Sequence, residues 1–224
     1  MAKKRITKKN LKEDEFIESI ASFKEKYEQN KKTINTVGTI LLILIVGFLF
    51  IRHQKQTREA KAIEALGQVE VMYYQNNLDQ TIALGEEMLR KYNGTKQAGY
   101  CNIIVGNCYY NKGEYGKALN YYQQYIKDYN DVIIYKYGAY DGIGNCFAQQ
   151  GKYLDAAKAY LEGAKALKNT YGEPFLIEKA ADSYSKAGKI KEALDNYKKI
   201  IDTFEDYPKL DIVKLSYYEL NLSK

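Results

Sequence analysis

GNCYYNKGEYGKALNYY (residues 106–122) and GNCFAQQGKYLDAAKAY (residues 144–160) are two copies of one pattern, 38 residues apart. Gly106/Gly144, Asn107/Asn145, Cys108/Cys146, Gly113/Gly151, Tyr115/Tyr153, Ala118/Ala156 and Tyr122/Tyr160 coincide at that offset. A third copy, ADSYSKAGKIKEALDNY (residues 181–197), follows after a further 37 and supplies Tyr184, Gly188, Ile190, Ala193 and Tyr197. An eroded copy precedes them from about residue 62 to 95. There Met72, Asn76, Leu78 and Thr81 stand where the others carry an aromatic, Gly, an aromatic and Ala. Self-similarity at a fixed period is the mark of a stacked repeat architecture. Only 2 prolines in 224 residues favour long uninterrupted helices.

The order within each copy, a small residue at repeat position 8 (Gly106, Gly144 and Ala181), aromatic at 11, Gly at 15, apolar at 17, Ala at 20 and aromatic at 24, resembles the tetratricopeptide repeat. Gly106 and Gly144 are expected to let the two helices of a unit approach, helped by Ala118, Ala156 and Ala193 from the second helix. Gly113, Gly151 and Gly188 are expected to end each first helix, where a left-handed residue costs glycine least. Tyr109, Phe147 and Tyr184 are expected to pack on Tyr122, Tyr160 and Tyr197. The predicted fold is all-α: a helical solenoid of about four helix pairs over residues 62–207. A capping helix follows over 208–224, patterned by Leu210, Val213, Leu215, Tyr217 and Leu220.

Upstream, residues 33–51 are nineteen positions without a charge, and ILLILIVGFLFI (40–51) has only Gly47 outside the large apolar set. As a helix this run is ~28 Å long, enough for a hydrocarbon core of roughly 30 Å. No polar stripe marks a core-facing side. We read residues 33–51 as a transmembrane helix and 52–61 as a helical linker running almost directly into the first repeat. A cleaved signal is not expected, because the run exceeds the usual apolar length and Ala60-Lys61-Ala62 lies in a charged stretch.

Residues 1–32 form a basic tail with ten Lys/Arg against six Asp/Glu, six of the cations falling within Lys3–Lys12. Within it Leu11, Phe16, Ile20, Phe23 and Tyr27 recur at helical spacing. They predict an amphipathic juxtamembrane helix in the headgroup layer, with partner binding as the alternative. The excess of cations places the tail in the cytoplasm and the repeats beyond an inner membrane, extracytoplasmic. The repeat region is nearly neutral, so it offers no face for nucleic acid.

The sequence speaks against catalysis. His53 is the one histidine, which excludes a His-His metal site and a Ser-His-Asp triad. The GxG at Gly142 is accounted for by the repeat. Cys101, Cys108 and Cys146 read as small buried core residues, with an approach of Cys108 to Cys146 left open. No cofactor and no metal are expected.

What remains is binding. The resemblance implies a concave surface lined by first-helix positions: Tyr73 and Tyr74; then Tyr100, Ile103, Asn107, Tyr110 and Asn111; then Asp141, Asn145 and Gln149; then Glu178 and Asp182. Such a groove, aromatic at one end, amide-rich in the middle and acidic at the other, suits a peptide or exposed apolar segment. Family members that clamp a terminal carboxylate carry a cation where Ile103 and Asp141 stand, so that mode is not expected. The layout of tail, anchor and repeats is similar to that of the ancillary SecYEG translocon subunits of bacterial inner membranes. That likeness implies a scaffold meeting translocon subunits, emerging polypeptides and periplasmic chaperones. An anchored adaptor for envelope assembly or cell division, and a self-assembling homo-oligomer, are the alternatives.

Overall fold

A computed structural model describes the backbone from Lys8 to Leu222 and side chains from Phe16 onward. The basic cluster Lys3–Lys12 and Leu11 lie outside the described side chains. Among the described residues the chain is helical throughout: α1 Lys8–Tyr74, α2 Leu78–Tyr92, α3 Lys96–Asn111, α4 Tyr115–Asp128, α5 Ile133–Gln149, α6 Tyr153–Ala166, α7 Gly172–Lys186, α8 Ile190–Thr203 and α9 Leu210–Leu222. It divides into two units, residues 1–56 and 57–224, with the division inside the expected linker.

In the first unit, Phe16, Ile17, Ile20 and Phe23 are exposed, so the apolar stripe of the predicted amphipathic segment is uncovered. Every large apolar side chain from Ile40 to Ile51 is at least 52% exposed. The helix is long and apolar enough to cross a membrane.

The second unit is a tetratricopeptide-repeat solenoid. The end of α1 pairs with α2, α3 with α4, α5 with α6 and α7 with α8, and α9 packs on α8. Each first helix closes in the same way. The position-11 carbonyls of Met72, Tyr109, Phe147 and Tyr184 accept from the N–H five residues on, at 2.9–3.0 Å. The residue before that donor is left-handed: Asn76 (φ 56), Gly113 (φ 76), Gly151 (φ 73) and Gly188 (φ 70). This is the Schellman closure, and asparagine is the side chain that tolerates it best after glycine. The eroded first copy is thereby a structural repeat like the rest.

The core forms two clusters, with partly buried Ile126 and Phe147 packed against both. Val69, Ile104, Val105, Tyr122 and Tyr125 anchor one cluster, and Leu167, Leu176, Ile177, Ile200 and Val213 the next. All three cysteines are free and buried. The close approach expected at Gly106 and Gly144 is present, and it is made by tyrosines of the second helix. A Cβ on Gly106 would meet the Tyr122 ring at 2.8 Å, and one on Gly144 the Tyr160 ring at 2.2 Å. Those tyrosines therefore pack on the glycines. Tyr109 instead stacks on Tyr121, centroids 5.5 Å apart, and both hydroxyls donate to Glu86 Oε1 at 2.7 Å.

Candidate functional site

The candidate surface belongs to the first helices, α1 (from Thr57), α3, α5, α7 and α9, and three of its junctions are crossed by polar or aromatic pairs. Asn107 Nδ2 on α3 donates to the Tyr73 hydroxyl on α1 at 3.4 Å. Tyr100 on α3 stacks on Tyr135 of α5 with centroids 4.6 Å apart. Lys179 on α7 pairs with Asp141 and donates to Asn145 Oδ1 at 3.4 Å, both on α5.

A second set of bonds runs inside each unit. Tyr122 donates to Asn107 Oδ1 at 2.8 Å, Tyr160 to Asn145 Oδ1 at 2.6 Å, and Tyr197 to Asp182 Oδ1 at 2.5 Å, always fifteen residues apart. The side chain at position 9 of the first helix is thus held by the tyrosine at position 24 of the second. Asn145 Nδ2 also donates to Asp141 Oδ2 at 2.9 Å. The amides expected to meet an extended backbone are engaged within the protein, and a ligand would have to share or displace these bonds.

The twelve sequence-selected residues separate by depth. Tyr74, Asn111, Gln149 and Asp182 are exposed, while Tyr73, Tyr100, Asn107, Tyr110, Asp141 and Asn145 are half-buried. Ile103 and Glu178 lie in the core at 7% and 8% exposure, which corrects their placement as open groove contacts. Glu178 is occupied as well: it accepts from the Tyr207 hydroxyl and from Lys209 Nζ at 3.2 Å. Tyr207 and Lys209 from the α8–α9 segment meet Glu178, so a first-helix position that faces the groove in register is not thereby open.

Burial governs the electrostatics. It pushes the Tyr100 hydroxyl up to about 12, aided by the Glu70 carboxylate. Although the residue is exposed overall, desolvation of its carboxyl raises Asp182, against the opposing bond from Tyr197. The Cys101 and Cys146 thiols are raised to about 12 and Cys108 to about 11, again by burial. These are not activated nucleophiles.

Lys179 was missed by sequence reasoning. It sits at position 6, off the expected lining, yet supplies a cation against Asp141 from the next unit. A cleft between α4, α5 and α6, lined by Gln123, Ile126, Tyr140, Ile143 and Phe147, was also not anticipated.

Residues 104–131 and 178–207 match the family model of the tetratricopeptide repeat. The α5–α6 pair lies outside both matches but carries the same Tyr160–Asn145 link. A comparison with curated proteins found no match. Among solved structures, the chain is similar to the MamA RS-1 ArsTM double mutant, with 13% identity, 73% of this chain and 96% of that one covered, and a TM-score of 0.49. It is also similar to Pseudomonas aeruginosa PilF, with 13% identity, 75% and 100% coverage and a TM-score of 0.38. A third is YrrB, titled a TPR protein with an unusual peptide-binding site, with 16% identity, 76% and 97% coverage and a TM-score of 0.32. Repeats of this kind are protein-interaction scaffolds.

Proposed function

We propose that this chain is a membrane-anchored scaffold that holds polypeptide segments on its first-helix face, without catalysing a reaction. The observation that carries the anchor is the uncovered apolar run Ile40–Ile51. No soluble helix leaves so long a stretch of aliphatic side chains in water, whereas a bilayer accepts all of them. The cation-rich tail then lies in the cytoplasm and the repeats on the extracytoplasmic side of an inner membrane. Partners are translocon subunits, emerging chains or periplasmic chaperones, with envelope-assembly or division proteins as the rival set.

An alkaline phosphatase fused to the C-terminus tests the topology. Activity supports a far-side domain, and an inactive fusion retracts it. A photocrosslinker at exposed Asn111 in cells then reads the partner: translocon subunits or chaperones support the assignment, division proteins overturn it. Tyr73→Ala with Tyr110→Ala is expected to reduce that crosslink with helicity unchanged.

Self-association is the second reading, favoured by Ile212, Leu215 and Tyr218, which are 58–61% exposed on α9. Capping helices ordinarily present a polar outer face. A concentration-independent monomer mass in detergent removes this reading.

A further inference from the structure

We infer that the edge of the repeat unit where its chain enters is a lipid-contact surface, seated on the bilayer through Val132, Ile133, Ile134 and Tyr171. The inference rests on the anchor reading above.

The edge is defined within the repeat unit. Arg58 Nη2 donates to the Asn93 carbonyl at 2.7 Å, so the entering helix is tied to the α2–α3 loop. Asn93 Oδ1 in turn accepts from the Tyr129 hydroxyl at 2.8 Å, which ties that loop to the α4–α5 loop. Tyr137, in the second turn of α5, lies 6.1 Å ring to ring from Tyr171 in the α6–α7 connection. The opposite edge has another character. It holds the left-handed turns at Asn76, Gly113, Gly151 and Gly188, and is bridged by Lys112 to Asp79.

The first edge carries apolar surface with no protein over it. Val132, Ile133 and Ile134 are 39%, 49% and 54% exposed in succession, and Tyr171 is 54% exposed. Three consecutive exposed aliphatic residues at a helix start are not needed for the repeat, whose core lies on the other faces of α5. Such a patch marks an interaction site. Tyrosine beside aliphatic side chains is the composition that membrane–water interfaces favour.

Tether length selects lipid as the occupant. Six residues separate Ile51, the end of the uncharged run, from Arg58. Whatever conformation they take, they reach at most roughly 25 Å. Arg58, at one end of this edge, therefore stays within that reach of the bilayer, and a lipid surface is present at an effective concentration that few diffusing partners match. The charges around the run balance: Lys127 and Lys136 against Asp128 and Asp131. Contact accordingly depends on apolar burial and not on anionic lipid, and a neutral phosphatidylcholine bilayer suffices.

The chain has no tryptophan, so single-tryptophan variants report without background. Full-length Ile134→Trp, Gln150→Trp and Phe48→Trp are reconstituted in phosphatidylcholine vesicles, with and without brominated acyl chains. Quenching of Phe48→Trp and Ile134→Trp but not of Gln150→Trp, which sits on the opposite edge, is the expected result. Phe48→Trp quenched with Ile134→Trp unquenched overturns the lipid contact and leaves the anchor standing. Phe48→Trp unquenched overturns the anchor, and this inference with it. Ile134→Trp shielded from aqueous iodide but blind to bromine assigns the edge to protein and overturns the proposal. A second reporter, Tyr171→Trp, is expected to lose its bromine quenching and shift red in an Ile133→Glu, Ile134→Glu background. Unchanged quenching there excludes this run as the contact.

Discussion

Tyr160 donates its hydroxyl to Oδ1 of Asn145 at 2.6 Å, joining the second helix of a unit to the exposed face of its first. Tyr122 and Asn107 make the same bond one unit earlier. The side chain that presents polarity to the groove is thus positioned by the side chain that fills the core. Binding face and packing are coupled by one repeated hydrogen bond.

Removing that hydroxyl tests the coupling. Tyr160→Phe leaves Asn145 Oδ1 with only the 3.4 Å contact from Lys179. The loss is expected to be about 1 kcal/mol. In a unit of this size that lowers the melting temperature by about 2–4 °C, read by circular dichroism in detergent.

Gly144→Ala places a methyl 2.2 Å from Tyr160 Cε1, and the buried ring has no room to retreat. Overpacking of this kind costs about 1–3 kcal/mol. Gly138→Ala, in the same helix with nothing within 4 Å, is the internal control. It should raise stability by about 0.5–1 kcal/mol. Equal melting temperatures for the two variants would contradict the close approach.

Asp182→Asn makes the fourth unit chemically like the two before it. Asp182 is exposed as a residue, but desolvation of its carboxyl raises the folded-state pKa, so at neutral pH its ionised form is less favourable folded than unfolded. An amide keeps an acceptor for Tyr197 without the charge. The variant should therefore melt above the parent at pH 7. That advantage should shrink as pH falls through the raised pKa, where the parent carboxyl becomes neutral. A gain that grows towards acid pH reverses the sign and refutes the assignment.

Asn76→Gly should leave stability unchanged or slightly raised, whereas Asn76→Ala should cost about 1–2 kcal/mol for a left-handed alanine. Urea titration of both variants checks it. Equal midpoints would mean that the first unit relaxes out of the closure seen at φ 56.

The three thiols, buried and raised to about 11–12, should resist maleimide at pH 7.5 and react only on unfolding. Mass spectrometry before and after urea counts the adducts.

The repeat register was legible because Gly113, Gly151 and Gly188 answer a backbone demand that few other residues meet, and such demands survive in the letters. Asn76 shows the reach of that logic: even a divergent copy kept a residue able to adopt φ > 0. The site was less legible. Periodicity says which side of a helix a residue occupies, not how deep it sits or which atoms it meets. Ile103 and Glu178 have groove register but core depth, whereas Asp141 at the matching place stays half-buried. The tyrosine–asparagine link was present as two matching pairs of letters. Helical spacing nonetheless assigned one partner to ligand and the other to core. Lys179 escaped because its partners Asp141 and Asn145 stand on a different repeat, and no local window contains all three.

The terminal helix α9 contributes a single buried residue, Val213, to the stack, whereas α7 contributes nine. Order in a nearest-neighbour solenoid decays from its weakest boundary. Amide deuterium will accordingly enter α9 first and α7 much later. A mechanical load or an unfoldase pulling on α9 would unravel the stack coil by coil from that helix inward.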